Sequence, residues 1–156
     1  MQSHSSVISR RTFLLGALAV AATRTWANPP SLEIEVWKSP TCGCCRDWID
    51  HLARDGIAAR TNNVGNTSAR HRLGIPMEFG SCHTGSIGDY AIEGHVPARE
   101  TRRLLREKPD AVGLAVPGMP VGSPGMDGPV YGGRKDPFDV LLIDRRGKAL
   151  VFERYR

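Results

Sequence analysis

The sequence predicts one α/β domain built on a mixed sheet. Three patterns lead there. "LEIEVWK" alternates apolar and polar residues as a strand does. The period turns helical a few residues later. Near the end, "FDVLLID" and "ALVFERY" flank an "RRGK" turn and read as a closing antiparallel hairpin. With 156 residues, 40% of them hydrophobic, the chain can bury one core and hardly two.

The first residues stand apart. "SRRTFLLGALAVAATRTWA" has paired arginines, an apolar run from Phe13 to about Ala22 and a small residue at Ala27. That is the anatomy of an export signal, and "SRRTFL" resembles the twin-arginine type. The run is too short to span a bilayer, which takes roughly 20 apolar residues. The expected organisation is a signal over 1–27, the only part meeting a membrane, and a working domain over 28–156. Removing 1–27 takes out Arg10, Arg11 and Arg24 and no acidic residue, leaving 18 basic against 16 acidic side chains. A nucleic-acid role needs a basic footprint on the working domain. "RETRRLLREK" is diluted by Glu100 and Glu107 and reads as a solvated helix face, so no nucleic-acid partner is expected.

The elements follow in order. In "LEIEVWK", Leu32, Ile34 and Val36 share one face. Ser39-Pro40-Thr41 is a turn and helix-start signal. Cys45, Trp48, Ile49, Leu52 and Ala53 then form an apolar helical stripe that Gly56 ends. "IAARTNNV" is a weaker second strand and "SARHRL" a short helix. A strand lies near Tyr90–Ile92. Pro97 opens a helix, "PARETRRLLREK", stopped by Pro109. From Val116 to Gly133, ten of eighteen residues are Gly or Pro, too many for a regular element. A loop this long is uncommon in an ordered domain unless it has a use.

Three of the four cysteines crowd into "KSPTCGCC". Cys42 and Cys45 have C-x-x-C spacing between a strand and a helix, which is the thioredoxin-like redox arrangement. A helix N-terminus favours thiolate, both nucleophile and metal ligand. In an oxidising compartment plain disulfides also fit, and four cysteines allow three pairings. Cys44 speaks against a simple redox pair, because a third thiol between the two invites wrong disulfides. It makes sense when the thiolates share metal. Soft thiolate and thioether ligands select Cu(I), zinc or iron–sulfur clusters. Cys42, Cys44 and Cys45 form one compact hook, and Cys82-His83 is the one partner available. Gly43 lets the hook turn tightly.

Met77, Met119 and Met126 are the other soft candidates, the last two in the Gly/Pro loop. That loop is expected beside the hook, with Met119 as a neutral ligand and Pro120 in the cis form. His83 is the best imidazole. His95 comes next, as a structural hydrogen-bonder. His51 reads as solvated, and His71, between two arginines, as a poor ligand.

"SPTCGCCRDWIDHL", "SCHTG", "IEGHVPA" and "GLAVPGMPVGSPGM", in this order and spacing, resemble the CopG-like periplasmic proteins of bacterial copper-resistance operons. The likeness runs from about Leu32 to the C-terminus. It implies a thioredoxin-like fold, periplasmic location, a role in copper tolerance with copper redox chemistry as an option, and a cysteine-bridged cluster of several copper ions. Cys42, Cys44, Cys45 and Cys82 carry over as ligands, then His83 and Met119. Other periplasmic copper-handling proteins would be partners. One departure concerns the fold: a thioredoxin-like unit usually ends with a helix after its hairpin, and this chain ends at Arg156. Either "PARETRRLLREK" fills that place or the fold is trimmed, with 67–95 an insertion that delivers Cys82.

The expected function is copper binding at a Cu(I) thiolate site. The first rival is a thiol–disulfide oxidoreductase using Cys42 and Cys45, for which Cys44 is dispensable. The second is a small binding module with a structural zinc.

Overall fold

Alternation in "LEIEVWK" produces β1 (Leu32–Lys38), with Ile34 and Val36 buried and Glu33 exposed. The computed structural model describes residues 32–156; the expected signal over 1–27 lies outside them. After β1 the chain turns through Ser39–Thr41 into α1 (Gly43–Arg54), which buries Cys45, Trp48 and Leu52. The helix starts ahead of its apolar stripe, so Cys44 and Cys45 occupy its first turn and Cys42 is its N-cap. Ala53, expected on the stripe, is exposed. Gly56 closes the helix at φ +73°, donating its N–H to the Ala53 carbonyl, a conformation that costs glycine little. The next strand, β2 (Ile57–Asn62), runs parallel to β1.

The remaining elements are α2 (Thr67–Arg72), β3 (His83–Ile87), β4 (Tyr90–Gly94), α3 (Ala98–Glu107), β5 (Ala111–Val116), β6 (Phe138–Asp144) and β7 (Ala149–Tyr155). All seven strands form one sheet in the order β2-β1-β3-β4-β5-β6-β7. Pairing is parallel for β1/β2 and β4/β5 and antiparallel for the other four neighbours. The fold is therefore a mixed α/β architecture.

Residues 67–95 are not an insertion. They supply β3 and β4, the third and fourth strands of the sheet. Two strands escaped the sequence reading for the same reason. In β3, "HTGSI", the consecutive residues His83, Thr84 and Gly85 are all buried, so no alternation is visible. In β5, "AVGLAV", only Val112 is not fully buried, as happens when both faces of a strand are covered.

The main core joins Ile34, Val36, Trp48, Leu52, Ile92, Leu104, Leu114 and Val140. A smaller cluster of Ile75, Ala91, Ala115 and Ile143 packs elsewhere on the sheet. Two of the four basic residues of α3 form ion pairs within the fold: Arg99 with the fully buried Glu100, and Arg103 with Glu107 and Glu153. Tyr155 also donates to Glu100 at 2.7 Å, tying β7 to α3. Pro120 is trans, since no cis peptide bond occurs among the described residues.

Gly85 gives this packing a test. A Cβ there would sit 2.6 Å from Cδ1 of Ile34, so any side chain must displace either the fully buried Ile34 side chain or β3 itself. Gly85→Val should lower stability by about 1–3 kcal/mol, the usual cost of overpacking, seen as an earlier urea midpoint. An unchanged midpoint would contradict the close contact.

Candidate metal centre

Strand register builds the site. Antiparallel pairing sets Lys38, the last residue of β1, beside His83, the first of β3. Cys82 therefore stands next to the turn that carries the hook. The β3–β4 register pairs Thr84 with Glu93; continued by two residues, it brings His95 opposite Cys82. Three chain segments thus converge at one end of β1.

The sulfurs form a ring. Cys42 and Cys45 are joined by a disulfide, with Cα atoms 5.4 Å apart. Cys44 Sγ lies 3.6 Å from Cys42 Sγ and 3.8 Å from Cys82 Sγ. Cys82 Sγ lies 3.6 Å from Cys45 Sγ, which closes the circuit. All four sulfurs lie within 4.8 Å of one another, and Cys82, His83 and His95 form a second group meeting the same limit. Cys82 belongs to both groups and is the hub of the site.

Protonation follows from hydrogen bonding and burial. His95 Nδ1 contacts the Pro124 carbonyl at 2.8 Å. A carbonyl only accepts, so Nδ1 carries the proton. The other nitrogen, Nε2, turns a lone pair to Cys82 Sγ at 3.2 Å. Burial lowers the pKa of His95, and that of His83 falls well below the ordinary value, first through burial and then through its neighbour His95. Both rings are neutral at pH 7, the form that binds metal. Burial, followed by the neighbouring Cys44, pushes the Cys82 thiol up to about 12, so it is protonated and donates toward His95. His83 Nδ1 lies 3.4 Å from the same sulfur. His83 Nε2 is the one buried side-chain polar atom among the described residues with no hydrogen-bond partner. The His83 ring packs on Trp48 with centroids 4.1 Å apart.

The Gly/Pro loop lies against the hook. Gly125, at φ +84°, approaches so closely that a Cβ would stand 2.5 Å from the Cys44 carbonyl oxygen and 2.7 Å from the Trp48 nitrogen. Neighbouring Pro124 orients His95. Further up the loop, Gly118 accepts from the Ser81 hydroxyl and donates to the Gly80 carbonyl.

The structure thus gathers Cys42, Cys44, Cys45, Cys82 and His83 in one place. Met119 sits beside Gly118 with half its surface exposed. The Met126 sulfur lies 3.2 Å from the Tyr131 hydroxyl, and Met77 is exposed. His95 is a full member of the site rather than a hydrogen-bonder alone. Its signal was in the sequence: Gly88-Asp89 between two strand-length runs is a two-residue hairpin turn, and pairing outward from it sets Cys82 opposite His95. His51 is not simply solvated, because its Nε2 accepts the Ala98 N–H at the start of α3.

The donor set fits a soft metal ion. Thiolates about 2.3 Å from a shared tetrahedral ion stand about 3.8 Å apart, close to the three open edges of the ring. Two neutral imidazoles stand beside it, with no carboxylate in either group. The disulfide sets a thiol count. Without reductant, the denatured protein should give two reactive thiols, Cys44 and Cys82, rising to four after reduction. Four thiols at the outset would rule the disulfide out.

Comparison with known proteins agrees with this chemistry. A family model described as a protein of unknown function, DUF411, matches residues 79–126, a span running from just before Cys82 to Met126. No curated protein matches the chain. Two solved structures, "Copper resistance protein copG- Form 1" and its Form 2, are each 47% identical to it, with a TM-score of 0.73. Each match covers 80% of this chain and 98% of the other. With that identity over almost the whole of those proteins, the chain belongs to the CopG family of copper resistance proteins.

Proposed function

We propose that this protein is an exported copper-binding protein of the periplasm that holds several Cu(I) ions and serves copper tolerance. The single observation that carries the reading is the four-sulfur ring with two neutral imidazoles beside it. Cys42, Cys44, Cys45 and Cys82 are the proposed ligands, with His83 and His95 next and Met119 as a thioether at the loop. Bridging sulfur lets four thiolates serve more than one ion, Cu(I) is among the soft ions such ligands select, and the similar structures named as copper resistance proteins favour copper over zinc. Residues 1–27 are the export signal, of the twin-arginine type, and 28–156 the working domain. Copper donors and acceptors in the same compartment are the expected protein partners.

The fold is proposed to be thioredoxin-like. Support comes from β1-α1-β2, then α2, then the antiparallel pair β3–β4, then α3, with strand order β2-β1-β3-β4. On this reading β3–β4 is the closing hairpin and α3 the helix after it. The strands β5, β6 and β7 are then an addition, although "FDVLLID" and "ALVFERY" first suggested that role.

Copper loading by all four sulfurs requires an open disulfide. An external dithiol reductant would supply the two electrons and two protons by thiol–disulfide exchange, leaving as its own disulfide while the Cys42–Cys45 bond becomes two thiols. Each thiol then gives up its proton as it binds copper. Bound Cu(I) supplies a one-electron couple, and copper redox chemistry is part of the proposal. The protein's residues supply the rest: neutral imidazoles, a half-buried hub sulfur and a loop packed against the hook.

The Cys42–Cys45 disulfide itself favours a second reading, a thiol–disulfide oxidoreductase. The two readings part at Cys44. Titrating Cu(I) into anaerobically reduced protein should end beyond one ion per chain. Cys44→Ser should keep the fold and weaken copper binding by roughly tenfold or more, beyond the lower bound for losing a mere supporting residue. Unchanged copper binding together with disulfide reductase activity would establish the oxidoreductase instead. An endpoint at one ion with zinc preferred would mean a structural zinc module. Met119→Leu keeps the volume and deletes the sulfur. It should change the copper X-ray absorption edge, and an unchanged edge would leave a site of cysteine and histidine only.

A further inference from the structure

The site has a support that its ligands do not include. Arg70, on α2, and Glu93, on β4, form an ion pair at 2.9 Å, with side chains 9% and 0% exposed. Removing two charges from water is expensive, and replacing such a pair by apolar residues often costs nothing. Its presence here calls for a use beyond stability.

We propose that the Arg70–Glu93 pair is a positioning device that clamps the Ser81–Cys82 backbone and so fixes the hub sulfur. This rests on the reading of the ring as a copper site. The contacts are specific. The Ser81 N–H donates to Glu93 Oε1 at 2.6 Å. The Arg70 guanidinium donates through Nε to the same oxygen at 2.9 Å and through Nη2 to the Ser81 carbonyl. The pair therefore holds both backbone groups of the residue before Cys82. The Thr84 hydroxyl donates to Glu93 Oε2 at 2.6 Å, which holds the chain two residues after Cys82. Asn66 adds donors to the Ser81 carbonyl at 3.1 Å and to Thr84 Oγ1 at 3.2 Å. Burial pushes the Glu93 pKa up, and the donors from Thr84, Ser81 and Arg70 oppose that by favouring its carboxylate form.

The clamp leaves Cys82 little freedom. Strand pairing fixes it from His83 onward. Gly80, just before the clamped residue, has no room for a side chain, since a Cβ would lie 2.9 Å from the Arg70 guanidinium carbon. A hub serving two ligand groups must be held to about 0.5 Å. Arg70 serves Glu93 through Nε and the Ser81 carbonyl through Nη2, a fixed fork that a single ammonium nitrogen does not reproduce, so lysine is not a conservative replacement there.

The test uses the fact that oxidised protein has two free thiols, Cys44 and Cys82. Metal-free oxidised protein is treated with iodoacetamide, and each site is quantified by peptide mass spectrometry. In the wild type Cys82 should react more slowly than Cys44. Arg70→Lys and Glu93→Gln should speed Cys82 several-fold and leave Cys44 unchanged. Reduced protein titrated with Cu(I) should lose affinity by about 10–100-fold in the same variants, as when partners behind metal ligands are removed. The double variant Arg70→Met, Glu93→Gln leaves no unpaired buried charge and covers the case in which a single variant does not fold. Asp110→Asn, at an exposed pair with Arg145, is the control and should change neither readout. Folded variants with an unchanged Cys82:Cys44 ratio and unchanged copper affinity would overturn the clamp. A shifted ratio in a protein that binds no copper even as wild type would keep the clamp and sink the copper reading.

Discussion

The antiparallel register that sets Lys38 beside His83 is the constraint on which the site depends. Strand β1 ends where the hook begins, and β3 begins where the hub cysteine ends. Moving β3 by one residue would turn every side chain to the other face of the sheet. His83 would leave Trp48, and Gly85 would no longer meet Ile34. The buried face of β3 thus locks the register, and the register places Cys82 near the ring although 37 residues separate it from Cys45. The β3–β4 turn extends the same logic to His95.

Burial then sets the chemistry. Around an exposed cysteine cluster, water would solvate thiolates and imidazolium ions alike. Here Cys45, His83 and His95 are fully buried, and charge is disfavoured until a cation arrives to share it. The loop over the hook is made of residues that can approach backbone closely. Gly125 meets the Cys44 carbonyl and Pro124 fixes the His95 tautomer by accepting from Nδ1. At Gly125 and Pro124 the loop's composition thus follows from close packing against the hook.

How legible this was in the sequence depended on periodicity. The first strand and helix were plain because each has one buried face, and the pattern of Ile34, Val36, Trp48 and Leu52 shows it. β3 and β5 were hidden because burial on both sides erases alternation, and β3 also carries His83, Thr84 and Gly85 in its buried run. The cysteine and histidine cluster was visible as residue types, and its grouping was guessed from chemistry. The clamp was not visible. Arg70 looked like one cation among several in "SARHRL", and Glu93 like an ordinary polar residue in "YAIEGH". Nothing local marks a charge that will be buried, because its partner lies 23 residues away.

Cys44 remains the residue that gives the ring its meaning. An exchange site needs an attacking sulfur and a resolving sulfur, and Cys42 and Cys45 already occupy those positions. Cys44 stands 3.6 Å from the Cys42 sulfur and 3.8 Å from the Cys82 sulfur, so it can compete for either. In exchange chemistry that is a liability, because thiolate attack on the nearest disulfide scrambles the pairing. In a metal-sharing ring the same position is the link: without Cys44 the circuit from Cys42 to Cys82 is open, and the hook loses its connection to the hub on that side. A residue that is costly under one chemistry and necessary under the other is an argument for the second, and the buried clamp behind Cys82 serves the same end by holding the other side of that link in place.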